Sequence, residues 1–281
     1  MGIFDGCLIA SDIDGTLLDN GYINPRCIEK IKFFVSEGGA FSISTGRSVG
    51  AVSDVTNVID CLAPSVVANG AMIYDYKNSK IIKEHLLPSS DRIAAERVME
   101  LGLDIGIEIH SGERALVVRP NAETEDHERY ENLKADYITL DEALGYEWTK
   151  ILFAFGNPVE LDGVKEFIKG LGIKSDLFNT IASIDNRKRY YLEVVPKGVS
   201  KAGSVKELCK ILSIKEGCCY AIGDYYNDVP MLKCADISAA PVNSPDDIKE
   251  IVDIVVSEAK DGAVADFIDY LTGRITENGR D

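Results

Sequence analysis

Short apolar runs ending in polar residues recur through the first 75 residues, separated by amphipathic stretches. Cys7-Leu8-Ile9 opens a strand predicted over 7–11. Residues 24–37 read as a helix: Asn24 can cap it, Pro25 sits in its first turn, and Ile28, Ile31, Phe34 and Val35 share a face. Gly38-Gly39 ends it. A strand over 41–44, a helix over 49–59 and a strand over 65–68 follow. The rhythm returns near the C-terminus, with helix 201–212, strand 218–222, helix 229–234, strand 236–239, helix 246–251, strand 253–256 and helix 263–271. Such alternation predicts a parallel sheet with right-handed crossovers. Residues 276–281 are polar and expected to be loose.

The middle of the chain differs. Short strands predicted over 105–109, 116–118, 151–155 and 190–194 mix with helices over 91–101 and 159–171, and charged stretches such as 123–134 interrupt the pattern. This reads as an α+β insert with an antiparallel sheet. The expected fold is therefore α/β: a doubly wound, Rossmann-like parallel-sheet core from residues 1–84 and 191–281, with an inserted α+β domain over 85–190. The ends of the insert must lie close together, because the flanking halves form one sheet.

Composition narrows the function. Hydrophobic residues at 46% and charged residues at 27% are ordinary for a globular protein. Thirty Lys and Arg against 46 Asp and Glu give a net charge of −16, which disfavours nucleic acid and anionic membrane as partners. No apolar run approaches the roughly 20 residues of a membrane span. The opening Met1-Gly2-Ile3-Phe4-Asp5 lacks the basic start of a signal peptide. Seven scattered cysteines, several in strand-like runs, read as reduced core thiols of a cytoplasmic protein. His85, His110 and His127 show no metal-ligand spacing, and Trp148 is expected in the core or surface of the insert.

The most informative stretch is 10–18, Ala-Ser-Asp-Ile-Asp-Gly-Thr-Leu-Leu. It places Asp12 and Asp14 where a buried strand ends, followed by Gly15 and the hydroxyl of Thr16. Two such close acids repel unless a cation or shared proton intervenes, and carboxylate oxygens suit Mg²⁺. The alternative is a surface turn, since Asp, Gly and Thr are ordinary turn residues. Further signals lie downstream: Ser44-Thr45-Gly46-Arg47 after an apolar run, Lys201 in Gly198-Val199-Ser200-Lys201, and Gly223-Asp224-Tyr225-Tyr226-Asn227-Asp228 after Cys218–Ile222. Together they describe a phosphate-and-metal site.

In this order the motifs resemble those of the haloacid dehalogenase superfamily of phosphotransferases: Asp-x-Asp-Gly-Thr at Asp12 and Asp14, a hydroxyl at Thr45, Lys201, and Gly-Asp-x-x-x-Asp at Asp224 and Asp228. The long gap between Thr45 and Lys201 is similar to that of the Cof-type phosphatases, which insert a large α/β cap there. Asn69-Gly70-Ala71, Thr45-Gly46-Arg47, Asn227-Asp228 and Asn243 also match that subfamily, and the resemblance spans nearly the whole chain.

Asp12 is read as the nucleophile, with one carboxylate oxygen available to metal and the other to phosphorus. Asp14 is read as general acid and then base. The resemblance implies the same roles, and further implies that Asp14 gives the metal only its backbone carbonyl. Asp224 completes the expected ligand set of Asp12, Asp14 and Asp224, with Asn227 and Asp228 supporting from behind. An N-terminal helix cap is the alternative for Asp224 and Asp228. Lys201 would screen phosphate and carboxylates; otherwise it is a solvated lysine in a helix's first turn. Thr45 would bind a phosphate oxygen or cap the following helix. The resemblance makes Gly46, Arg47 and Asn69 substrate-side candidates, although Asn69-Gly70 also suits a strand-linking turn and Arg47 could pair with any acid. Residues 185–189, Asp-Asn-Arg-Lys-Arg, read as a basic hairpin-like turn, a solvated tip in preference to a substrate clamp. Tyr225 and Tyr226 stand where the superfamily often has small residues, which bears on substrate size.

The expected activity is Mg²⁺-dependent hydrolysis of a small phosphorylated metabolite, a sugar phosphate or phosphoglycolate-like acid, through an aspartyl-phosphate, by a monomer or homodimer. A phosphomutase of the same superfamily and a non-catalytic sugar-phosphate sensor are the alternatives.

Overall fold

The computed structural model describes residues 2–184 and 187–278. Its first strand, Leu8–Ser11, is buried along its whole length. That burial follows from parallel neighbours on both sides: Ala40–Ile43 pairs along one edge and Cys219–Ile222 along the other. Ile237–Pro241 and Ile254–Val256 continue the sheet beyond Cys219–Ile222, all parallel. Chain order thus runs outward in both directions from Leu8–Ser11. In such sheets the crevice at the carboxyl ends, beside the strand where the winding reverses, is where ligands bind. The residues that leave this sheet there are Asp12 and Gly223-Asp224.

Helices cover the sheet. Asn24 accepts from the Arg26 amide at 2.9 Å and caps helix Pro25–Ser36, which packs against Ala263–Asn278. Arg26 joins the two through Asp266 and Asp269 at 2.6 and 2.7 Å. Helices Lys201–Ile211 and Val229–Cys234 bury Ala202, Val205, Leu208, Met231 and Leu232 against Leu8, Ala10, Ala221 and Ala240. Among the described residues all seven cysteines are free; Cys209 and Cys219 bring their sulfurs to 3.4 Å. No helix among the described residues is long and apolar enough to cross a membrane.

Three local expectations change. The strand predicted at 65–68 does not extend the parallel sheet. Ser65–Val67 touches it through one isolated bridge, Ser44 to Val66, then pairs antiparallel with Met72–Asp75. Three consecutive positive φ angles at Ala68, Asn69 and Gly70 turn the chain back. The helix predicted at 49–59 shrinks to a 3-10 turn, Val49–Val52, and one α turn, Ser53–Thr56. Gly50 and the β-branched Val49, Val52, Val55 and Thr56 are poor helix formers. At the C-terminus, helix Ala263–Asn278 continues beyond Leu271.

The chain divides into two compact units: Met1–Gly46 with Ser53–Ile82 and Ser200–Asp281, and Arg47–Val52 with Lys83–Val199. The second unit therefore begins and ends outside 85–190, and residue 190 falls within its strand Arg187–Val195. Its six-stranded sheet runs Asp136–Tyr137, Arg114–Arg119, Gly106–Ser111, Lys150–Phe155, Arg187–Val195, Asp176–Ile184, antiparallel except at the first pair. One face packs Ile107, Ile109, Ile151, Phe153, Leu192 and Val194 against helices Ile93–Glu100 and Pro158–Gly170, with Trp148 fully buried in that core. On the other face the charged stretch at 123–134 forms helix Ala122–Tyr130, begun by a capping box at Asn121 and Thr124. In the predicted hairpin tip, Asp185 and Asn186 lie outside the described residues. Arg189 is not solvated: it is buried in an ion pair with Asp126.

Candidate active site

All the acids proposed for chemistry belong to the first unit. Asp12 follows the buried strand directly, its amide bonded to the Ile222 carbonyl at 2.9 Å, so the parallel ladder carries its backbone one step past Ser11. The Ser11 hydroxyl donates to the Asp12 carbonyl at 2.8 Å. Gly15, at φ +78°, turns the chain beneath Asp224, where a Cβ would collide with the Asp224 carboxylate. Gly223 plays the same part opposite, because a side chain there would collide with Asp228.

Lys201 ties the two halves together. Its ammonium donates to Asp12 Oδ1 at 2.6 Å and to Asp228 Oδ1 at 2.7 Å, with Lys201 2% exposed and Asp228 fully buried. The alternative of a solvated lysine in the helix's first turn does not hold, because Lys201 is buried. Ser200 caps its helix by accepting from the Gly203 amide at 3.1 Å. The other Asp228 oxygen accepts from the Asp224 and Tyr225 amides at 3.2 and 3.3 Å, so Asp228 holds both the loop and the lysine. Thr16 donates to Asp224 Oδ1 at 3.4 Å. Thr16 stands in the first motif, but its spacing alone gives no sign that it reaches a residue more than 200 positions away.

The electrostatics follow from this crowding. Burial, then the neighbouring Asp228, pushes the Asp12 carboxyl well above the usual carboxylate range; Lys201 opposes this, and Asp224 and Asp14 add to it. Asp224 is pushed up to about 7, by burial and by Asp228. Lys201 is held protonated by Asp12 and Asp228 against the cost of its own burial. One ammonium does not balance this many carboxylates, so the site favours an added cation. Asp12, Asp224 and Asp228 each offer an oxygen within 4.8 Å of the others. This fits a divalent ion with oxygen preference. The trio includes Asp228, expected only as support, whereas Asp14 lies outside it and is half-buried.

The phosphate-side candidates separate. Thr45 is buried two residues beyond the end of strand Ala40–Ile43, its amide bonded to the Val66 carbonyl and its carbonyl accepting from the Asn69 amide, both at 3.0 Å. A Cβ on Gly46 would stand 3.0 Å from Asn69 Oδ1, so these segments touch. Arg47 belongs to the second unit and donates to the Ala51 carbonyl at 3.0 Å. Asn227 and Asn243 are exposed. Tyr225 and Tyr226 are about half exposed, their rings edge to face at 5.0 Å.

The family model for haloacid dehalogenase-like hydrolases matches residues 9–268. The chain belongs to this family. It is an enzyme, a phosphatase, as most of the relatives it matches are named. It is 27% identical over 293 residues to the 5-amino-6-(5-phospho-D-ribitylamino)uracil phosphatase YwtE of Bacillus subtilis, covering 94% of this chain and 97% of that one. It is 24% identical over 264 residues to the phosphoglycolate phosphatase of Methanopyrus kandleri, covering 93% and 95%. A haloacid dehalogenase-like hydrolase from Bacteroides thetaiotaomicron shares the fold, with a TM-score of 0.81 at 22% identity over 94% of this chain and 99% of that one. In this haloacid dehalogenase-like hydrolase Asp12 and Asp224 follow two adjacent parallel strands, and Lys201 stands between Asp12 and Asp228.

Proposed function

We propose that this enzyme hydrolyses phosphomonoesters of small soluble metabolites, sugar phosphates or phosphoglycolate-like acids, by a two-step transfer through Asp12. The observation that carries the reading is Asp12 at a strand tip, buried, and hydrogen-bonded to a lysine that Asp228 holds in place. In the first step an Asp12 oxygen forms a bond to phosphorus while the ester P–O bond breaks. Its electron pair leaves on the alkoxide, which takes a proton from Asp14. In the second step water attacks the phosphoryl group, Asp14 accepts its proton, and the Asp12 carboxylate departs with phosphate released. Lys201 offsets negative charge as it spreads over the phosphoryl oxygens, and Thr45 donates to one of them. Mg²⁺ held by Asp12 and Asp224, with the Asp14 carbonyl or the Asp228 carboxylate beside them, would supply charge neutralisation on the transferring group.

Two relatives support the substrate class by name, one acting on phosphoglycolate and one on a phosphorylated ribitylaminouracil. The same reading places the enzyme in the cytoplasm, where free thiols stay reduced, as a monomer or homodimer without nucleic acid or membrane partners. Phosphate release across a panel of phosphorylated metabolites, with Mg²⁺ and with chelator, tests it. Magnesium-dependent release from small esters is the expected result. An isomeric sugar phosphate without free phosphate would make the enzyme a mutase. Binding without turnover on every ester would make it a sensor.

A further inference from the structure

The turn at Ala68-Asn69-Gly70 is strained. Ala68 and Asn69 sit at φ +50° and +54°, Gly70 at +99°. Left-handed backbone is unfavourable for Ala68, whose side chain offers no local hydrogen bond, and is better tolerated by Asn69; the two in succession persist where neighbours impose them. Here the neighbours are identifiable. The Asn69 amide bonds to the Thr45 carbonyl at 3.0 Å from one side. From the other, the buried Ser204 hydroxyl donates to the Gly70 carbonyl at 2.7 Å. The Ser200 carbonyl packs so close to Gly70 that any Cβ there would collide with it. Ser204 lies three residues after Lys201, on the same face of the helix that Lys201 begins.

We propose that Ser204 is a positioning residue for substrate binding: through the Gly70 carbonyl it fixes the strained turn that presents Asn69 beside Thr45 and Gly46. The inference rests on the phosphatase reading of this site. Its physical content is that one helix sets two halves of the site. Its first residue carries the charge that faces Asp12, and its next turn holds the backbone from which Asn69 projects. Ser204 touches no reacting atom. Its loss frees a strained turn to relax, which blurs the Asn69 side chain without disturbing Asp12, Lys201 or Asp224.

The test is steady-state kinetics on the best ester from the panel, with inorganic phosphate as competitive inhibitor. The variants are Ser204→Ala, the near-isosteric Ser204→Cys, Ser204→Thr, Asn69→Ala, and Ser204→Ala with Asn69→Ala. Removing one buried hydrogen bond is worth roughly a fivefold effect. Ser204→Ala and Ser204→Cys should therefore each raise KM and the phosphate inhibition constant about fivefold, with kcat within a factor of about two. Ser204→Thr keeps the hydroxyl and should restore both constants. The double variant should be no worse than Asn69→Ala alone, because both changes remove one effect. Unchanged KM in folded Ser204→Ala or Ser204→Cys, loss confined to kcat, or independent multiplication in the double variant would overturn the proposal. If neither the alanine nor the cysteine variant folds, the hydroxyl is structural and the proposal is also overturned. Wild-type enzyme that releases no phosphate from any ester overturns the phosphatase reading instead, a result distinct from all of these.

Discussion

At the scale of single residues the site is a problem in charge. Asp12 is buried beside Asp228 and within the field of Asp224 and Asp14, with Lys201 the one ammonium bonded to it among the described residues. Asp12→Asn keeps the shape and removes the nucleophile, so phosphate release should fall below a few per cent of wild type. The melting temperature should stay within a few degrees, because Lys201 retains Asp228. Release near the wild-type rate would show that phosphorus never bonds to Asp12. Asp14 allows a finer test. General acid catalysis is worth roughly 10²- to 10⁴-fold, and matters most when the leaving group is basic. Asp14→Asn should cost a sugar phosphate far more than an aryl phosphate whose phenolate departs unaided; equal losses would make Asp14 structural. Because parallel strands deliver their carboxyl ends to one edge, the sequence pattern puts Asp12 and Asp224 near each other; it names Asp14 as the third ligand, where the structure groups Asp228 instead. The pattern did not foretell Thr16 against Asp224 or Ser204 against Gly70. Those contacts depend on where side chains land after long-range packing, and an isolated Ser or Thr carries no periodic signal.

Among the elements, helix Ala122–Tyr130 is the least expected. Its sequence is nearly all polar, yet it docks on the second unit's sheet. The contact is ionic: His127 lies 3.0 Å from Glu108 and 3.4 Å from Glu131, and His110 lies 2.6 Å from Glu108. From the sheet, Lys150, Glu193 and Tyr191 face the same buried layer, and Asp126 on the helix pairs with Arg189. His127 is raised to about 10: burial opposes its charge, but Glu108 and Glu131 outweigh it. Glu108 and Glu131 are held below the usual carboxylate range; burial raises them, and the His127 charge more than reverses it. His110 is lowered, chiefly by burial, and stays neutral near pH 7. A raised histidine contributes stability that is fully present below its unfolded value near 6.5 and is lost as pH rises through about 10. The two glutamates contribute stability present above their unfolded value and lost as pH falls through their lowered ones. Melting temperature should therefore be highest in the mildly acidic range, above the glutamates' unfolded value near 4.5 and below the histidine's near 6.5, falling as pH rises towards 10 and again in stronger acid. His127→Ala should cost about 3–5 kcal/mol, the usual effect of breaking a buried pair, and should flatten the alkaline limb. An unchanged alkaline limb would move that ionisation elsewhere. This docking was hidden from the pattern of apolar residues because almost no apolar residue makes it.

On the scale of the whole molecule, the alternation of strand and helix was legible at both ends because each parallel strand is a short apolar run bounded by polar or turn-forming residues. The edges of the second unit were less so. Strand Asp176–Ile184 mixes Asp, Asn, Thr and Ser with apolar residues, and strand Arg187–Val195 opens with three cationic residues, so neither announces its start. A deletion designed on 85–190 would cut the second of these strands in half. Removing 83–199 instead should leave the five-stranded sheet and every acid proposed for chemistry in one piece. Circular dichroism and a Mg²⁺ titration followed by melting temperature check this. A cooperative transition that shifts upward with Mg²⁺ is expected, and its absence would mean the first unit does not stand alone.

The first strand, Leu8–Ser11, emerges from the ribosome early, yet its partner Cys219–Ile222 is made roughly 200 residues later. At the usual ~5–20 residues per second, that edge waits roughly 10–40 s for its neighbour. Meanwhile Lys83–Val199 is completed with its own apolar core and has everything it needs to collapse. The later-numbered unit should thus fold first during synthesis. A nascent chain halted before Cys219 should carry a protease-resistant fragment near 83–199, while its first 82 residues remain open to cleavage and to any chaperone that binds bare strand edges.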